Sequence, residues 1–317
     1  MPPLVLPHAR RAPLWAAASL SVAFGQGAVA QQVADPSFRP AEIAAPMHVG
    51  DSGPRVLVDA AHHNFHASDG LYKPFAMVLE ADGYRVAANA APFTEALLAG
   101  TDVLVIATAQ QAAGNRQLPA PSAFRDAELD ALVEFVDAGG GLFVIVDQMP
   151  YPGAAAELAA RFGLELPNDV VGVGGRDGEP IIGPTVFKKA EGTIGDHAIT
   201  RGRNAGEAID QVMSFSGSAF PITSNAVSLI HYGDDGVVLF PTVAREFATA
   251  ARAMAPGWSQ GAALEHGQGR VVLFAEAAMF SSQQTATTAP IGLVSAEAED
   301  NQQLLLNIVR WLAADLK

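Results

Sequence analysis

The sequence predicts an α/β domain with a mostly parallel β-sheet, helices on both faces of that sheet and an antiparallel β-rich insertion. Short apolar runs that suit strands buried on both faces alternate with amphipathic stretches that suit helices, before residue 164 and again after residue 262. Between those positions the chain is rich in Gly and Pro and its apolar runs are short. Alternation of strands and helices is typical of a parallel sheet with right-handed crossovers.

The elements before residue 164 are predicted from apolar runs and from the residues that bound them. Strands are predicted over 55–59, 84–86, 102–107 and 142–146, and helices over 74–82, 126–138 and 154–162. Pro74 suits the first turn of a helix, because its missing N–H costs nothing there. Gly83 suits the position after the helix, and Asp126 suits an N-terminal cap.

The elements after residue 164 are β-like runs over 212–215, 227–232 and 237–240, a strand over 270–275 and a final helix over about 300–313. The Gly-rich segment 172–175 lacks a strand–turn–helix context, so we expect a flexible loop rather than a phosphate-binding loop. Segment 257–261 matches the pattern G-x-S-x-G but follows Pro256 and precedes a strand-like run, so we do not expect a nucleophile elbow. Asp196-His197 is expected to cap a turn.

Composition and charge exclude several classes of protein. Half of the 317 residues are hydrophobic and 16% are charged, which excludes a disordered chain. The formal net charge of −14 predicts no nucleic-acid partner and no binding to anionic lipid. The chain contains no cysteine, so disulfides, thiolate catalysis and zinc–thiolate sites are excluded.

Residues 1–30 have the pattern of a secretory signal peptide. They contain two arginines and no acid, then an apolar run, then an Ala-x-Ala pattern that ends at Ala30. We expect cleavage near Ala30 and a periplasmic or secreted mature protein without a transmembrane segment. Residues 31–53 are predicted to form an extended leader, and residues 54–317 a single domain whose insertion spans about 164–262.

Polar residues at the predicted strand ends mark a candidate site. In open parallel sheets ligands bind in the crevice beyond the carboxyl ends of the strands, and Asp59, Asp147 and Glu276 end predicted strands there. His62 and His66 follow the first of these acids closely. We expect these groups to converge, and clustered carboxylates and imidazoles to perturb one another's pKa.

A metal site at this edge is one interpretation of the histidines. His62 and His66 have the i, i+4 spacing that places two imidazoles on one helical face, and Asp59 or Glu276 could add an oxygen ligand. The H-E-x-x-H pattern is absent, since His63 stands where the Glu would be, and the segment lies between a strand and a helix start. No cofactor is therefore firmly implied, and a divalent metal held by Asp59, His62 and His66 stays an open alternative.

Several motifs resemble those of an uncharacterised bacterial family. They are Asp59-Ala60-Ala61-His62, Asn64-Phe65-His66, Asp69-Gly70-x-Tyr72-x-Pro74-Phe75, Asp82-Gly83-Tyr84, Asp196-His197-x-Ile199-x-x-Gly202, Gly269-Arg270-Val271-Val272, Glu276-Ala277-Ala278-Met279-Phe280, Asp300-Asn301-Gln302-Gln303 and Asn307-x-x-Arg310-Trp311-Leu312. That family belongs to the class I glutamine amidotransferase-like superfamily, and the resemblance implies a flavodoxin-like core over most of residues 54–314. It carries no settled activity.

One departure from the amidotransferases limits what the resemblance implies. Those enzymes place a cysteine nucleophile on a tight turn after a central strand, whereas the corresponding strand here leads into Asp147-Gln148-Met149. No His-x-Glu pair lies near the end of the chain. The resemblance therefore implies a fold that keeps its crevice while different polar residues line it.

Three hypotheses on function follow. The first is an exported, non-thiol protein that binds a small polar or carbohydrate-like ligand in the crevice, through contacts from Asp59, His62, His66, Gln148, Glu276 and Asn301. The second is a hydrolase in the same crevice, metal-assisted or run by an acid–base pair such as Glu276 with His62. The third is a non-catalytic envelope scaffold whose middle region meets a protein partner that the sequence does not identify.

Overall fold

The computed structural model describes residues 32–175, 179–243, 246–284 and 290–317. The predicted signal peptide, residues 1–30, lies outside these residues. Within them, no helix is both long enough and apolar enough to cross a membrane.

Short strands and a few longer helices make up the fold. The helices are α1 (Lys73–Ala81), α2 (Glu95–Leu98), α3 (Asp126–Asp137), α4 (Tyr151–Arg161), α5 (Ala198–Arg201) and α6 (Asn301–Leu312). The strands are β1 (Val33–Ala34), β2 (Arg55–Asp59), β3 (Arg85–Asn89), β4 (Val103–Ala107), β5 (Gly141–Ile145), β6 (Val170–Gly174), β7 (Pro180–Ile181), β8 (Thr185–Lys188), β9 (Gln211–Ser214), β10 (Val227–His231), β11 (Gly236–Phe240), β12 (Ala251–Met254), β13 (Ser259–His266), β14 (Gly269–Phe274), β15 (Ser282–Gln284) and β16 (Ile291–Gly292).

The largest sheet has seven strands in the order β10-β13-β14-β5-β4-β2-β3. Five neighbouring strands, from β14 to β3, run parallel, and β13 and β10 continue the sheet antiparallel at one edge. Every residue of β4 and β5 is buried, as expected for apolar strands covered on both faces. The predicted α/β class with a mostly parallel sheet is confirmed.

Helices cover both faces of this sheet, because alternate side chains of each strand point to opposite faces. Val56, Val103 and Phe143 pack in one hydrophobic cluster, which includes the apolar side chains of α1 and α6. Leu57 and Leu104 pack in the other, together with side chains of α3 and α4. The arrangement is compatible with a flavodoxin-like fold.

The insertion between α4 and β13 is antiparallel, as the sequence predicts. It forms a four-stranded sheet in the order β12-β11-β6-β7 and a two-stranded sheet of β8 and β9. The loop predicted over 172–175 is wrong, because residues 172–174 belong to β6 and pair with both β11 and β7. A side chain at Gly172 would lie 2.7 Å from the carbonyl oxygen of Ile181, so this glycine permits the close approach of the neighbouring strand.

The segment around Ser259 and the start of α3 bear on two further local predictions. Ser259 begins β13 and is fully buried, and its hydroxyl donates to the carbonyl oxygen of Gly261 at 2.7 Å, so the segment forms no nucleophile elbow. Asp126 is the first residue of α3 rather than its cap. The side chain of Glu128 accepts the N–H of Arg125 at 3.1 Å and caps the helix instead.

Candidate functional site

Four neighbouring parallel strands bring polar residues to one edge of the sheet. β2 ends at Asp59, and Thr108, Asp147 and Glu276 follow β4, β5 and β14 closely. The strands that lead to Asp59, Asp147 and Glu276 are β2, β5 and β14, and their parallel pairing with each other and with β4 confirms that they run in a common direction. However, β5 and β4 lie between β14 and β2, so three strand spacings of about 4.8 Å, about 14 Å in all, separate the strands of Asp59 and Glu276.

His62 lies between two carboxylates. Its Nδ1 is 2.9 Å from Oδ2 of Asp59, and its Nε2 is 2.9 Å from Oε1 of Glu128 on α3. The rings of Phe93 and Phe124 lie 4.7 and 5.0 Å from the imidazole centroid. Both ring nitrogens can donate at once only in the imidazolium ion, so this environment favours the charged form.

The protonation of the cluster follows from these contacts. Burial lowers the pKa of His62, but the hydrogen bonds and charges of Asp59 and Glu128 outweigh burial, so the pKa is raised above its ordinary value. Burial raises the pKa of Glu128, but His62 and the N–H of Arg125 outweigh it, so that pKa is lowered. The predicted mutual perturbation of carboxylate and imidazole therefore holds between His62 and Glu128.

His66 belongs to a separate cluster. The main-chain N–H of His66 donates to Oγ1 of Thr108 at 3.0 Å, and the ring atom Nδ1 lies 3.2 Å from the same oxygen. The ring packs against Tyr72 with centroids 4.8 Å apart. Burial lowers the pKa of His66 to about 3, so the imidazole is neutral near pH 7. Its Nε2 is buried and has no hydrogen-bond partner in the described part of the chain.

The predicted metal ligands Asp59, His62 and His66 do not form one site. Both nitrogens of His62 contact carboxylates, and His66 contacts Thr108 instead. Among the residues that the structure describes, no group of three or more His, Asp or Glu side chains is arranged to hold a metal ion. The i, i+4 spacing fails here because the segment is an irregular loop, in which His63 has a φ of 48°.

Asp147 and Glu276 form a second pair of acids. Burial and the neighbouring Asp147 carboxylate raise the pKa of Glu276 well above its ordinary value, although N–H groups of Ala278 and Met279 donate to its two oxygens at 2.9 and 2.7 Å. Burial raises the pKa of Asp147 to about 6, against the opposing effect of the N–H of Gln148. Glu276 therefore fixes the turn that follows β14, while Asp147 keeps one oxygen available.

A cavity of about 1000 Å³ opens beside these strand ends. That volume suits a small-molecule site. Its lining includes polar side chains that lack a hydrogen-bond partner in the described ranges, at Nε2 of His66, Oε1 of Gln283 and the side chains of Gln148 and Ser216. Asp147 also lines it, and only Oδ1 of that carboxylate accepts a hydrogen bond. A concave surface that carries a few unsatisfied polar groups is the expected form of a binding site.

The six predicted contact residues divide between this cavity and its surroundings. His66 and Gln148 line the cavity, whereas Asp59, His62, Glu276 and Asn301 do not. Asn301 is fully buried, and its amide contacts the main chain of Met213 and Met279 at 2.8 to 3.1 Å, so it holds β9 and the turn after β14 together. Asp59 and His62 anchor the loop whose following residues line the cavity.

A second cavity, of about 490 Å³, lies at the opposite edge of the sheet, where the parallel strands begin. Carboxylates of Glu95, Asp102 and Glu134 line it, but none of the predicted site residues does. The larger cavity is therefore the candidate functional site.

Sequence reasoning missed several residues of this site. Thr108 follows the predicted strand 102–107, so the same strand-end rule that marked Asp59 could have marked it. Glu128 gave no such signal, because it lies on a helix and reaches His62 through the fold. Gln283 reaches the cavity from β15, which carries no strand-like apolar run.

Comparisons with known proteins bear on the fold. A scan against protein-family models finds no match, and a search of curated proteins finds none. Solved structures with a similar fold include the mmIFT52 N-terminal domain, with a TM-score of 0.54 and 16% identity over 81% of this chain and 96% of that chain. They also include a protein described as thua-like from Bacteroides uniformis, with a TM-score of 0.47 and 10% identity over 88% of this chain and 97% of that chain. At these identities the similarity shows the fold alone.

Proposed function

We propose that this protein is exported and binds a small polar, carbohydrate-like ligand non-covalently in the cavity beside the strand ends. The observation that carries the proposal is a set of cavity-lining polar atoms without a hydrogen-bond partner in the described residues. They are Nε2 of His66, Oδ2 of Asp147, Oε1 of Gln283 and the side-chain polar atoms of Gln148 and Ser216. Buried polar groups are normally satisfied, so the two buried atoms of this set, Nε2 of His66 and Oε1 of Gln283, support a missing hydrogen-bonding ligand.

The chemistry of these groups suits hydroxyl-rich molecules. Each hydroxyl both donates and accepts, and the cavity offers donors on Gln148 and Ser216 beside acceptors on Asp147 and Gln283. The aromatic side chain of Phe65 also lines the cavity and is 51% exposed, which gives an apolar surface for the C–H face of a sugar ring.

The proposal excludes the amidotransferase reaction for this chain. Glutamine hydrolysis in the superfamily that the motifs resemble depends on a cysteine thiolate, and this sequence has no cysteine. In the amidotransferases the cysteine follows the strand that corresponds to β5, and here Asp147 follows that strand. A carboxylate at this turn can accept hydrogen bonds from the hydroxyl groups of a ligand.

Isothermal titration calorimetry with a panel of neutral and acidic monosaccharides and disaccharides tests the proposal. We expect at least one sugar to bind the wild type, and Gln148→Ala to weaken the affinity for that sugar by about 5- to 150-fold, since a lost hydrogen bond leaves its partner unsatisfied at about 1–3 kcal/mol. Gln268→Ala is the matched control, because Gln268 is exposed at the turn before β14 and lies outside the cavity. Failure of every sugar to bind, or equal affinities of the two variants, would contradict the proposal.

A hydrolase in the same cavity is the second candidate, and one observation favours it. The pKa of Asp147 is raised to about 6, close to the range in which a carboxyl group can exchange protons near neutral pH. The pair Glu276 with His62 is less suited, because Glu276 binds main-chain N–H groups and His62 contacts Asp59 and Glu128. Turnover of nitrophenyl glycosides or esters that disappears in Asp147→Asn would favour this candidate over simple binding.

The envelope scaffold has less support from the structure. That hypothesis requires a crevice filled by side chains, whereas the crevice beside the strand ends holds an open cavity of about 1000 Å³.

A further inference from the structure

Two cationic side chains at the cavity lack an anionic partner. Lys73, at the start of α1, and Arg116, in the loop after β4, both line the cavity and are exposed. Neither side chain makes a hydrogen bond or an ion pair with any residue that the structure describes. Carboxylates pair with the arginines at positions 125, 161, 201, 203, 252 and 310, whereas Arg39, Arg85 and Arg270 contact main-chain carbonyl oxygens instead.

The position of this pair at the cavity distinguishes it from the other cations that make no ion pair in the described residues, such as Arg55 and Lys189. The chain has 33 acidic and 19 basic side chains, so a basic side chain has many acids available as partners. Asp69 is the one exposed acid among the cavity-lining residues, and it pairs with neither cation. The exposed part of the lining therefore carries two positive charges and one negative charge, on a protein that is otherwise strongly negative.

Burial separates these charges from the polar groups that would bind hydroxyls. His66 and Gln283 are buried, and Asp147 is half-buried, whereas Lys73 and Arg116 are exposed. A ligand that reaches both sets would place its hydroxyl groups against the buried set and an anionic group beside the two cations. The planar guanidinium of Arg116 matches a carboxylate in a two-point contact.

We propose that the ligand is an acidic sugar, whose ring hydroxyls contact the buried polar groups and whose carboxylate contacts Arg116 and Lys73. This inference rests on the proposed function, and it narrows the ligand class from any small polyol to a sugar acid. The two cations contribute attraction over several ångströms, so binding of the acid becomes dependent on salt concentration.

Calorimetry with matched pairs of sugars tests this inference. The pairs are galacturonate with galactose, glucuronate with glucose and mannuronate with mannose, each titrated in 50 mM and 500 mM NaCl. We expect at least one acid to bind about 10-fold or more tightly than its neutral partner at low salt, and high salt to remove most of that difference. Galactose 6-phosphate tests whether the two cations bind any anionic group or prefer a carboxylate. A phosphate carries a larger negative charge, so it would bind more tightly if charge alone decided the affinity.

Variants of Arg116 and Lys73 test whether these two side chains cause the preference for the sugar acid. Arg116→Gln and Lys73→Gln are each expected to weaken the affinity for the sugar acid by about 3- to 10-fold and to change the affinity for the neutral sugar by less than about 2-fold. The double variant is expected to bind the acid and the neutral sugar equally. Lys189→Gln is the matched control, because Lys189 is also exposed and lies outside the cavity.

The outcomes separate the two proposals. Neutral sugars that bind as tightly as their acids would overturn the inference and leave the proposed function standing. Tighter binding of galactose 6-phosphate than of every sugar acid would overturn the assignment to a carboxylate. Absence of binding by all of these sugars would overturn the proposed function, and the inference with it.

Discussion

At the scale of single residues, Asp147 combines three properties that no other cavity-lining residue has. It follows the central strand β5, it lines the cavity, and burial raises its pKa to about 6. Glu276 has a raised pKa as well, but its two oxygens accept N–H groups within its own turn. The carboxyl group of Asp147 is therefore the one in this pair that a ligand can reach.

The raised pKa of Asp147 gives a prediction for stability. The folded protein holds this carboxyl group protonated up to about pH 6, whereas the ordinary value is 3.8, so stability falls as the pH rises from about 4 to above 6. Asp147→Asn removes the ionisable group and keeps an acceptor for Gln148. We expect the variant to raise the free energy of unfolding at pH 8 by up to about 3 kcal/mol, and to change it little at pH 4.

Urea denaturation at the two pH values measures this effect. Asp234→Asn is a suitable control, because Asp234 is exposed and makes no ion pair or hydrogen bond in the described chain. A variant of Asp147 that is destabilised at pH 8, or stabilised equally at both pH values, would show that the buried carboxylate carries no such cost.

The sequence predicts which edge of the sheet some polar residues occupy, but not which of them are neighbours, for a physical reason. A polar residue after a buried strand must lie at the carboxyl edge of the sheet, so Asp59, Asp147 and Glu276 were placed at the correct edge. The sequence does not show which strands are adjacent. It therefore left undetermined that Asp147 neighbours Glu276, and that Asp59 contacts Glu128 through His62.

At the scale of elements, the loop between β2 and α1 is the part of the fold that joins structure to the site. His62 ties the start of this loop to α3 through Glu128, and the next four residues, 63–66, line the cavity. The main chain supports the same connection, since the N–H of Gln110 donates to the carbonyl oxygen of His62 at 2.8 Å. Loss of the imidazolium contacts should therefore affect both stability and the position of the cavity wall.

The charge of His62 is testable through Glu128→Gln. A histidine whose pKa is raised on folding adds to the free energy of unfolding. This contribution is complete at pH values below the ordinary histidine pKa of 6.5, and it is lost as the pH rises through the raised pKa. Glu128→Gln removes one of the two partner charges, so we expect the pKa of His62 to fall and the fold to lose about 1–3 kcal/mol near pH 6. NMR titration of the His62 ring proton measures the pKa directly.

Glu134→Gln provides the control for this variant on the same helix. Glu134 is exposed and its side chain has no partner in the described residues. An unchanged His62 pKa in Glu128→Gln would show that the imidazole is neutral and that the two carboxylates do not hold it as a cation.

Elements with a strong apolar pattern were predictable, and those held by pairing alone were not. The apolar strands β2, β4, β5 and β14 and the amphipathic helices α1, α3 and α6 lie within a few residues of their predicted bounds. The Gly-rich segment 172–175 was predicted as a flexible loop, but pairing with strands on both sides makes residues 172–174 part of β6. Pairing between distant strands leaves no local signal in the sequence.

At the scale of the whole molecule, distant segments close the cavity. The parallel strands supply one side, and the start of the described chain supplies another, since residues 32–34 line the cavity. Val33 and Ala34 form β1 and pair with Gln284 and Gln283 of β15. The sequence predicts only an extended leader here, because two residues of strand carry no pattern. Residues 32–34 therefore contribute to the wall of the cavity as well as to the connection into the domain.

This arrangement predicts that the leader is needed for binding more than for folding. A chain that begins at Pro36 lacks β1 and leaves the edge of β15 unpaired, but it keeps the buried side chain of Phe38. Val33 is 46% exposed, so its loss removes little buried apolar surface. We expect the shortened chain to melt within about 5 °C of a chain that begins at Gln31.

The affinity of the shortened chain for a sugar that binds the longer chain should fall by about 10-fold or more, since one wall of the cavity and the strand that pairs with Gln283 are lost. Equal affinities of the two chains, measured by calorimetry, would show that β1 takes no part in the site.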